Sequence, residues 1–349
     1  MDTKDIREIL SQVSSSYIFS DGCEYELSKF TTYFCSNTEI ELKVLGGSIA
    51  VSDYFLMYAL ICMGHATADM VYRYLHKLKK EHQDMIIPGD VTGIRTRLKV
   101  LSGYGVIRGF EYKVESDSQK GVYIYCIADS GAKLVQRGLY KDCRYDALCS
   151  TETISLVLRR VACNYVGTIM FDNPMCKDYV AKTDIYLSKT EKMQTYGRLY
   201  YRTGEGENEK KYLVFIEPIF YSYDARIMDS KANISQIAAR ISNFARHLAF
   251  LKDKYTDTAL IICIEHWDGF IKSTQLIAQR APELLQKCYF ISDRVLSLMN
   301  VNVNGKKIAG CFMSASLTEK DGKSVISYKT AEHPVYFPEQ YLIEKDKNS

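Results

Sequence analysis

Residues 90–138 carry the clearest structural pattern of the chain and read DVTGIRTRLKVLSGYGVIRGFEYKVESDSQKGVYIYCIADSGAKLVQRG. Asp90 follows a Pro-Gly break and is well placed to cap a helix that ends near Ser102. A tight turn with two glycines leads into a strand, a polar loop at residues 115–121 and a return strand from Val122. A further helix closes the segment at Gly138. The pattern therefore predicts a helix, a β-hairpin and a second helix.

Two shorter helical patterns precede this segment. The first covers residues 51–62, carries a broad apolar side and stops at Gly64, a residue suited to a helix end. The second begins at Thr67 or Ala68 and ends in a cluster of lysines, where cations suit the helix dipole. The predicted order is therefore three helices, a hairpin and a fourth helix.

The third of these helices is predicted to be amphipathic. Its apolar side carries Val91, Ile94, Leu98 and Leu101. At about 100° per residue, the opposite side carries Thr92, Thr96 and Lys99, with Arg95 and Arg97 on the two flanks. Short hydroxyl residues allow close approach to DNA, and arginines reach guanine edges or phosphates. A solvated helix face would show the same pattern, so both interpretations stay open for this helix alone.

The segments LKVLSGYGVIRGFEYKV (98–114) and GVYIYCIADSGAKLV (121–135) resemble the helix, wing and helix of bacterial winged-helix proteins, especially MarR-like and replication-relaxation domains. The resemblance implies an α+β winged-helix domain at residues 51–145, whose third helix enters the major groove of duplex DNA. Winged helices also mediate protein contacts, which is an open alternative. The residues predicted to contact DNA are Lys77, Lys79, Lys80, Thr92, Arg95, Thr96, Arg97, Lys99 and Lys120.

The first fifty residues form an N-terminal extension, residues 1–50, in this scheme. They show a short helical pattern at residues 4–13 and alternating segments around residues 25–34 and 39–45. The two alternating segments predict a hairpin packed on the winged-helix domain.

From residue 146 to residue 349 the pattern predicts a separate α/β domain with a mixed sheet. The expected elements are a helix at residues 151–163, strands near 179–188, 196–203 and 211–221, a helix at 232–254, a strand at 258–265, a helix at 272–288 and a strand at 289–292. This order resembles the core of restriction-endonuclease-like domains, the PD-(D/E)XK group. The combination of a winged helix with a restriction-endonuclease-like unit resembles the replication-relaxation proteins of plasmids and mobile elements.

Active members of that group hold Mg²⁺ with an aspartate and a glutamate on adjacent strands, and a lysine two residues after the glutamate stabilises charge at the scissile phosphate. The matching positions in this sequence are Asp184 and Glu217, but the lysine position holds Ile219. Lys231, in the following helix, would have to reach across. The resemblance therefore implies a degenerate, non-catalytic nuclease-like domain without a cofactor, and Mg²⁺ belongs only to the nuclease alternative.

The helix at residues 232–254 carries a regular apolar stripe. Such a stripe pairs helices across a homodimer or packs on the sheet of its own domain, and for fewer than three heptads the second interpretation is favoured. The stripe consists of Ile234, Ile237, Ile241, Phe244, Leu248 and Leu251.

Composition excludes several classes of protein. No apolar run approaches the roughly 20 residues that span a bilayer, and the N-terminus lacks the layout of a signal peptide, so a cytoplasmic protein without a membrane partner is expected. The eleven cysteines occur singly, without CxxC spacing, and no metal site is expected. The net charge of +3 is too small to identify a nucleic-acid binder. Walker A, GxGxxG, HExxH and GxSxG motifs are absent from the sequence.

The sequence therefore predicts a duplex-DNA-binding protein of a plasmid or mobile element that acts in replication, mobilisation or transcription control. One alternative is a Mg-dependent DNA nuclease targeted by its winged helix. Another is an interaction module or ligand-responsive regulator whose many tyrosines line a pocket. The expected partners are double-stranded DNA and, through the apolar stripe, a second copy of the chain in a homodimer.

Overall fold

In the computed structural model the chain divides into two compact units, with the division between Lys182 and Thr183. The described residues contain nine helices and a mixed sheet, so the chain is an α+β protein as the sequence predicts. The structure describes residues 25–29, 35–114, 122–139, 141, 154–186, 191–204, 206, 209–219, 230–251, 254–264, 267–291, 302–303, 306–307, 312–320 and 322–331.

The N-terminal unit, Ser20–Lys182, combines helices with a small antiparallel sheet. Its strands lie in the order β1, β3, β4, β2. In chain order its elements are β1 (Tyr25–Lys29), α1 (Asn37–Leu45), α2 (Val51–Met63), β2 (His65–Ala66), α3 (Ala68–Glu81), α4 (Val91–Gly103), β3 (Ile107–Val114), β4 (Val122–Ile127), α5 (Asp129–Gly138), α6 (Ile154–Phe171) and β5 (Cys176–Val180).

Side-chain caps fix the starts of α3 and α4. The Thr67 hydroxyl accepts a hydrogen bond from the Met70 amide at 3.5 Å, and the Asp90 carboxylate accepts one from the Gly93 amide at 2.6 Å. Each cap satisfies a backbone N–H that has no partner within the helix. The predicted starts of both helices are therefore confirmed.

The hairpin β3–β4 and the helix α5 follow α4 closely. Gly105 takes a φ of 70° in the turn before β3, which suits a residue without a Cβ. Gly131 in α5 lies so near the chain that a Cβ there would stand 2.1 Å from the Val106 carbonyl oxygen. The two-residue strand β2, which the sequence pattern does not show, pairs with Tyr125 and Cys126 of β4.

The predicted N-terminal hairpin is wrong. β1 pairs with β3, and the second alternating segment is the helix α1. A capping box explains the helix: the Ser36 hydroxyl accepts from the Glu39 amide at 3.3 Å, while the Glu39 carboxylate accepts from the Ser36 amide at 2.7 Å. The period-two pattern of residues 39–45 conceals this local signal.

Helix α6 belongs to the N-terminal unit. The Asn164 amide donates to the carbonyl oxygens of Met63 and His65 at 2.8 and 2.7 Å, which ties α6 to the end of α2 and to β2. The Tyr179 hydroxyl donates to the Asn164 side chain at 2.8 Å and adds β5 to the same buried network. The N-terminal compact unit therefore ends at Lys182, whereas the sequence predicts a domain boundary at residues 145–146.

The C-terminal unit contains a mixed sheet, as predicted. Six of its strands lie in the order β15, β14, β11, β10, β9, β8, with β9, β10 and β11 parallel and the other pairs antiparallel. The elements are β6 (Thr183–Tyr186), β7 (Lys192–Thr195), β8 (Gly197–Thr203), β9 (Lys210–Pro218), α7 (Ser230–Leu251), β10 (Asp257–Cys263), α8 (Trp267–Arg280), α9 (Pro282–Leu285), β11 (Cys288–Ile291), β12 (Asn302–Val303), β13 (Lys306–Lys307), β14 (Phe312–Lys320) and β15 (Lys323–Ala331).

The apolar stripe of α7 lies in the core of the C-terminal unit. Its described members are Ile237, Ile241, Phe244, Leu248 and Leu251, and all are buried. The rings of Phe244 and Phe215 of β9 are 5.9 Å apart, which shows α7 packed on the sheet. The stripe is therefore used within the chain and gives no support to a homodimer. No helix among the described residues has the length and apolarity to cross a membrane.

Candidate nucleic-acid interface

Helix α4 has one buried face and one exposed face. Ile94, Leu98 and Leu101 are fully buried in the N-terminal unit. The opposite face is exposed and follows the i, i+3, i+4, i+7 spacing of a single helix side. It is formed by Thr92, Arg95, Thr96 and Lys99. We call these four residues the α4 outer face.

Arg97 is not part of the α4 outer face. Its Nε lies 2.5 Å from Oδ1 of Asp53, and its Nη2 lies 2.5 Å from the Ser48 carbonyl oxygen. The Asp53 side chain is fully buried. The hydrogen bond to this carboxylate raises the pKa of the Arg97 guanidinium. Arg97 therefore fastens α4 to the start of α2, and its guanidinium is not available to contact DNA.

The three lysines of α3 occupy different environments. Lys77 is buried: its Nζ donates to the Asn173 carbonyl oxygen at 3.0 Å, and burial lowers the pKa of its ammonium group. Lys80 is exposed and forms an ion pair with Asp172 at 3.1 Å. Lys79 is exposed and has no hydrogen-bonding or ion-pair partner in the described part of the chain. Exposed pairs contribute little to stability, so Lys79 and Lys80 remain candidates for phosphate contacts and Lys77 does not.

Two tyrosines of β4 border the α4 outer face. The Nζ atom of Lys99 lies 4.8 Å from the centre of the Tyr123 ring. Burial raises the pKa of Tyr125 to about 12, and the nearby positive charge of Arg95 opposes this shift. Residues two apart in a strand share one side of the sheet, so both tyrosines face α4. The helix and the hairpin thus form one surface. Lys120, also predicted to contact DNA, lies outside the described residues.

The nuclease-like carboxylates do not lie on neighbouring strands, contrary to the sequence prediction. Asp184 lies on β6, which pairs with β7, whereas Glu217 lies on β9, between β10 and β8. The Asp184 carboxylate forms an ion pair with Lys192 at 2.8 Å. Ile219, at the position of the expected lysine, is buried. The side chain of Lys231 lies outside the described residues.

Glu217 is held by a cation from α7. Its side chain is 3% exposed, and Nη2 of Arg240 donates to both of its carboxylate oxygens. The same Nη2 lies 3.0 Å from the Gln194 carbonyl oxygen. The backbone of Gln194 lies opposite Asp184, so both carboxylates are in one region of the unit.

These residues do not fit a Mg²⁺ site. Each carboxylate already faces a cationic side chain, and a divalent ion would have to displace Lys192 and Arg240 to bind both. The described residues contain no group of three or more His, Cys, Asp or Glu side chains placed to hold a metal ion.

Sequence reasoning missed the partners Asp53, Arg240 and Tyr123. The sequence contains a signal for the first two. Asp53 lies on the apolar side of α2, and Glu217, the partner of Arg240, lies within the apolar strand LVFIEP. A carboxylate in either place requires a cation, because an unpaired buried charge is very costly. The position of Tyr123 beside Lys99 depends on the tertiary structure and has no such signal.

No protein-family model, no curated protein and no solved structure matches the chain. The winged-helix and nuclease-like resemblances of the sequence therefore remain predictions.

Proposed function

We propose that the N-terminal unit is a winged-helix domain that binds duplex DNA, with α4 in the major groove and the hairpin β3–β4 as its wing. The order of α2, β2, α3, α4, the hairpin and α5, with β2 paired to β4, supports this assignment. The observation that carries the proposal is the α4 outer face. It presents two short hydroxyl side chains and two cations at helical spacing, on the side of α4 away from the core.

Charge at the edges of this surface favours the DNA backbone. Lys79, Lys80 and Lys99 are exposed lysines of α3 and α4 and would contact phosphates. Such contacts release counterions, so they supply affinity that does not depend on sequence and that falls as salt rises. We propose that the protein serves a plasmid or mobile element in replication, mobilisation or transcription control. The C-terminal unit would act there without cleaving DNA, because Arg240 and Lys192 neutralise its two carboxylates.

Fluorescence anisotropy of a labelled duplex tests the proposal. Three phosphate contacts, each contributing a slope of about −0.9, lower the affinity roughly 40-fold between about 50 and 200 mM salt. Lys99→Ala should weaken binding and reduce the salt slope by about one. Lys133→Ala, which removes an exposed lysine of α5, is the matched control and should leave both quantities unchanged. Absence of binding at the lower salt concentration by folded protein would contradict the proposal.

A further inference from the structure

The basic side chains near α4 differ in the groups of the protein that they contact. Oxygen acceptors bind Lys77, Lys80 and Arg97. Lys99 lies over the Tyr123 ring. Arg95 is exposed, and in the described part of the chain it has no hydrogen-bonding or ion-pair partner. Helix α4 carries two arginines. Arg97 is bound to Asp53, so Arg95 is the arginine of α4 whose guanidinium remains available to a ligand.

The surroundings of Arg95 favour contact with bases. Thr92 and Thr96 lie on either side of it on the α4 outer face, and their short side chains let the helix axis approach the floor of a groove. A guanidinium presents two parallel N–H donors, and guanine presents the O6 and N7 acceptors in the major groove. A lysine at this position would offer a point charge without that paired geometry.

Lys99 is suited to a different contact. It lies four residues after Arg95, beside the strand β4. An ammonium group over an aromatic ring keeps its charge and has a restricted position. At the border between helix and hairpin it would meet the phosphate chain that flanks the groove.

We propose that Arg95 confers a preference for guanine on duplex binding by α4, whereas Lys99, positioned by Tyr123, supplies a phosphate contact that is independent of sequence. This inference rests on the proposed function and adds to it the class of DNA site and the separate roles of the two cations.

The test begins with a pool of short duplexes that carry a randomised core. Wild-type protein should enrich cores that contain guanine. In the enriched duplex, 7-deazaguanine then replaces guanine; it lacks N7 and keeps Watson–Crick pairing. Loss of a bidentate arginine contact corresponds to roughly 5- to 150-fold in affinity, so wild type should lose affinity in that range on the modified duplex. Arg95→Ala should bind both duplexes equally, because the contact is already absent.

Four further variants separate the roles of the cations. Arg95→Lys should be less sensitive to 7-deazaguanine than wild type and more sensitive than Arg95→Ala, because an ammonium group can donate to guanine but lacks the planar pair of N–H donors. Lys99→Ala should lose the same factor on enriched and scrambled duplexes and keep the sensitivity to 7-deazaguanine. Tyr123→Leu should reproduce the loss seen in Lys99→Ala, whereas Tyr123→Phe, which keeps the ring, should bind as wild type does. Thermal melting of each variant checks its fold.

Several results would overturn this inference. Enrichment of cores without guanine, or undiminished sensitivity to 7-deazaguanine in Arg95→Ala, would exclude Arg95 as the reader of guanine. Equal losses by Arg95→Ala on enriched and scrambled duplexes would assign Arg95 to a phosphate. In each of these cases the protein still binds DNA, so the proposed function survives. Absence of binding to every duplex at low salt defeats the proposed function and this inference with it.

Discussion

Arg97 of α4 and Asp53 of α2 form an ion pair in which Nη2 lies 2.5 Å from Oδ2, and the carboxylate partner is fully buried. Asp53 also accepts a hydrogen bond from the Ala50 amide at 2.6 Å, so one carboxylate both caps α2 and holds α4. The two arginines of α4 therefore have different roles. Arg97 stabilises the fold, and Arg95 faces outwards.

Arg97→Ala should lower the free energy of unfolding by about 3 kcal/mol, because it leaves the buried charge of Asp53 without its partner. Arg95→Ala is the matched control on the same helix and should stay within about 0.5 kcal/mol of wild type. Urea denaturation of the two variants measures both values. Equal stability of the two variants would show that the Asp53 pair does not hold α4.

The free energy of unfolding should also depend on Tyr125 at high pH. Burial raises the pKa of Tyr125 to about 12 from its ordinary value of 10.0, so the folded protein holds this proton more tightly than the unfolded chain does. The resulting stability is fully present below about pH 10 and is lost as pH rises through about 12. Relative to Tyr125→Phe, wild type should therefore lose stability over this window, as urea denaturation at several pH values would measure. A constant difference between the two proteins would contradict the shift.

The charge of Arg95 should be detectable at Tyr125. Because this charge opposes the rise in the pKa of Tyr125, Arg95→Ala should raise that pKa further, and Arg95→Lys should do so less. Nuclear magnetic resonance of ring-labelled tyrosine reports the titration, and the signal missing from Tyr125→Phe gives the assignment. An unchanged pKa in Arg95→Ala would place Arg95 away from β4.

The pair of Glu217 and Arg240 should be a structural element of the C-terminal unit. Arg240→Ala removes the guanidinium that holds the buried Glu217 carboxylate and should cost about 3 kcal/mol of unfolding free energy. Adding Glu217→Gln to that variant should recover part of the loss, since the buried negative charge is then removed. Arg246→Ala breaks an exposed pair with Glu191 and, as the control, should cost at most about 1 kcal/mol. If both arginine variants lose the same small amount of unfolding free energy, the buried pair stabilises the fold no more than the exposed pair does.

Supercoiled plasmid incubated with the protein and Mg²⁺ or Mn²⁺ should remain uncut. Both carboxylates face cations, and the position after Pro218 holds a buried isoleucine in place of a lysine. Gel electrophoresis of the plasmid measures the outcome. Cleavage that disappears in both Asp184→Ala and Glu217→Ala would establish a nuclease and refute the scaffold role.

Local signals predicted the elements near the proposed interface. The Asp90 cap, the apolar spacing of α4 and the alternation of the hairpin strands each act over a few residues, and all three are confirmed. The sequence does not predict the strand β2, because two residues are too few to show a periodic pattern. Its pairing with β4 also joins positions far apart in the chain. The hairpin of β14 and β15 was likewise not predicted.

The site was less predictable than the fold. Helical periodicity placed Thr92, Arg95, Thr96 and Lys99 on one exposed side, as the structure has them. Periodicity alone could not separate Arg95 from Arg97, because the acceptor that holds Arg97 lies 44 residues earlier in the chain.

Photo-crosslinking determines whether the α4 outer face contacts duplex DNA. A benzoyl-phenylalanine placed at Thr96, in the middle of that face, should crosslink to a labelled duplex on irradiation. The same residue at Leu139, exposed at the end of α5, should give little product. Crosslinking from position 96 that an excess of unlabelled duplex abolishes is the result we predict. Equal crosslinking from both positions, or none from position 96 under conditions in which the protein binds the duplex, would contradict the account.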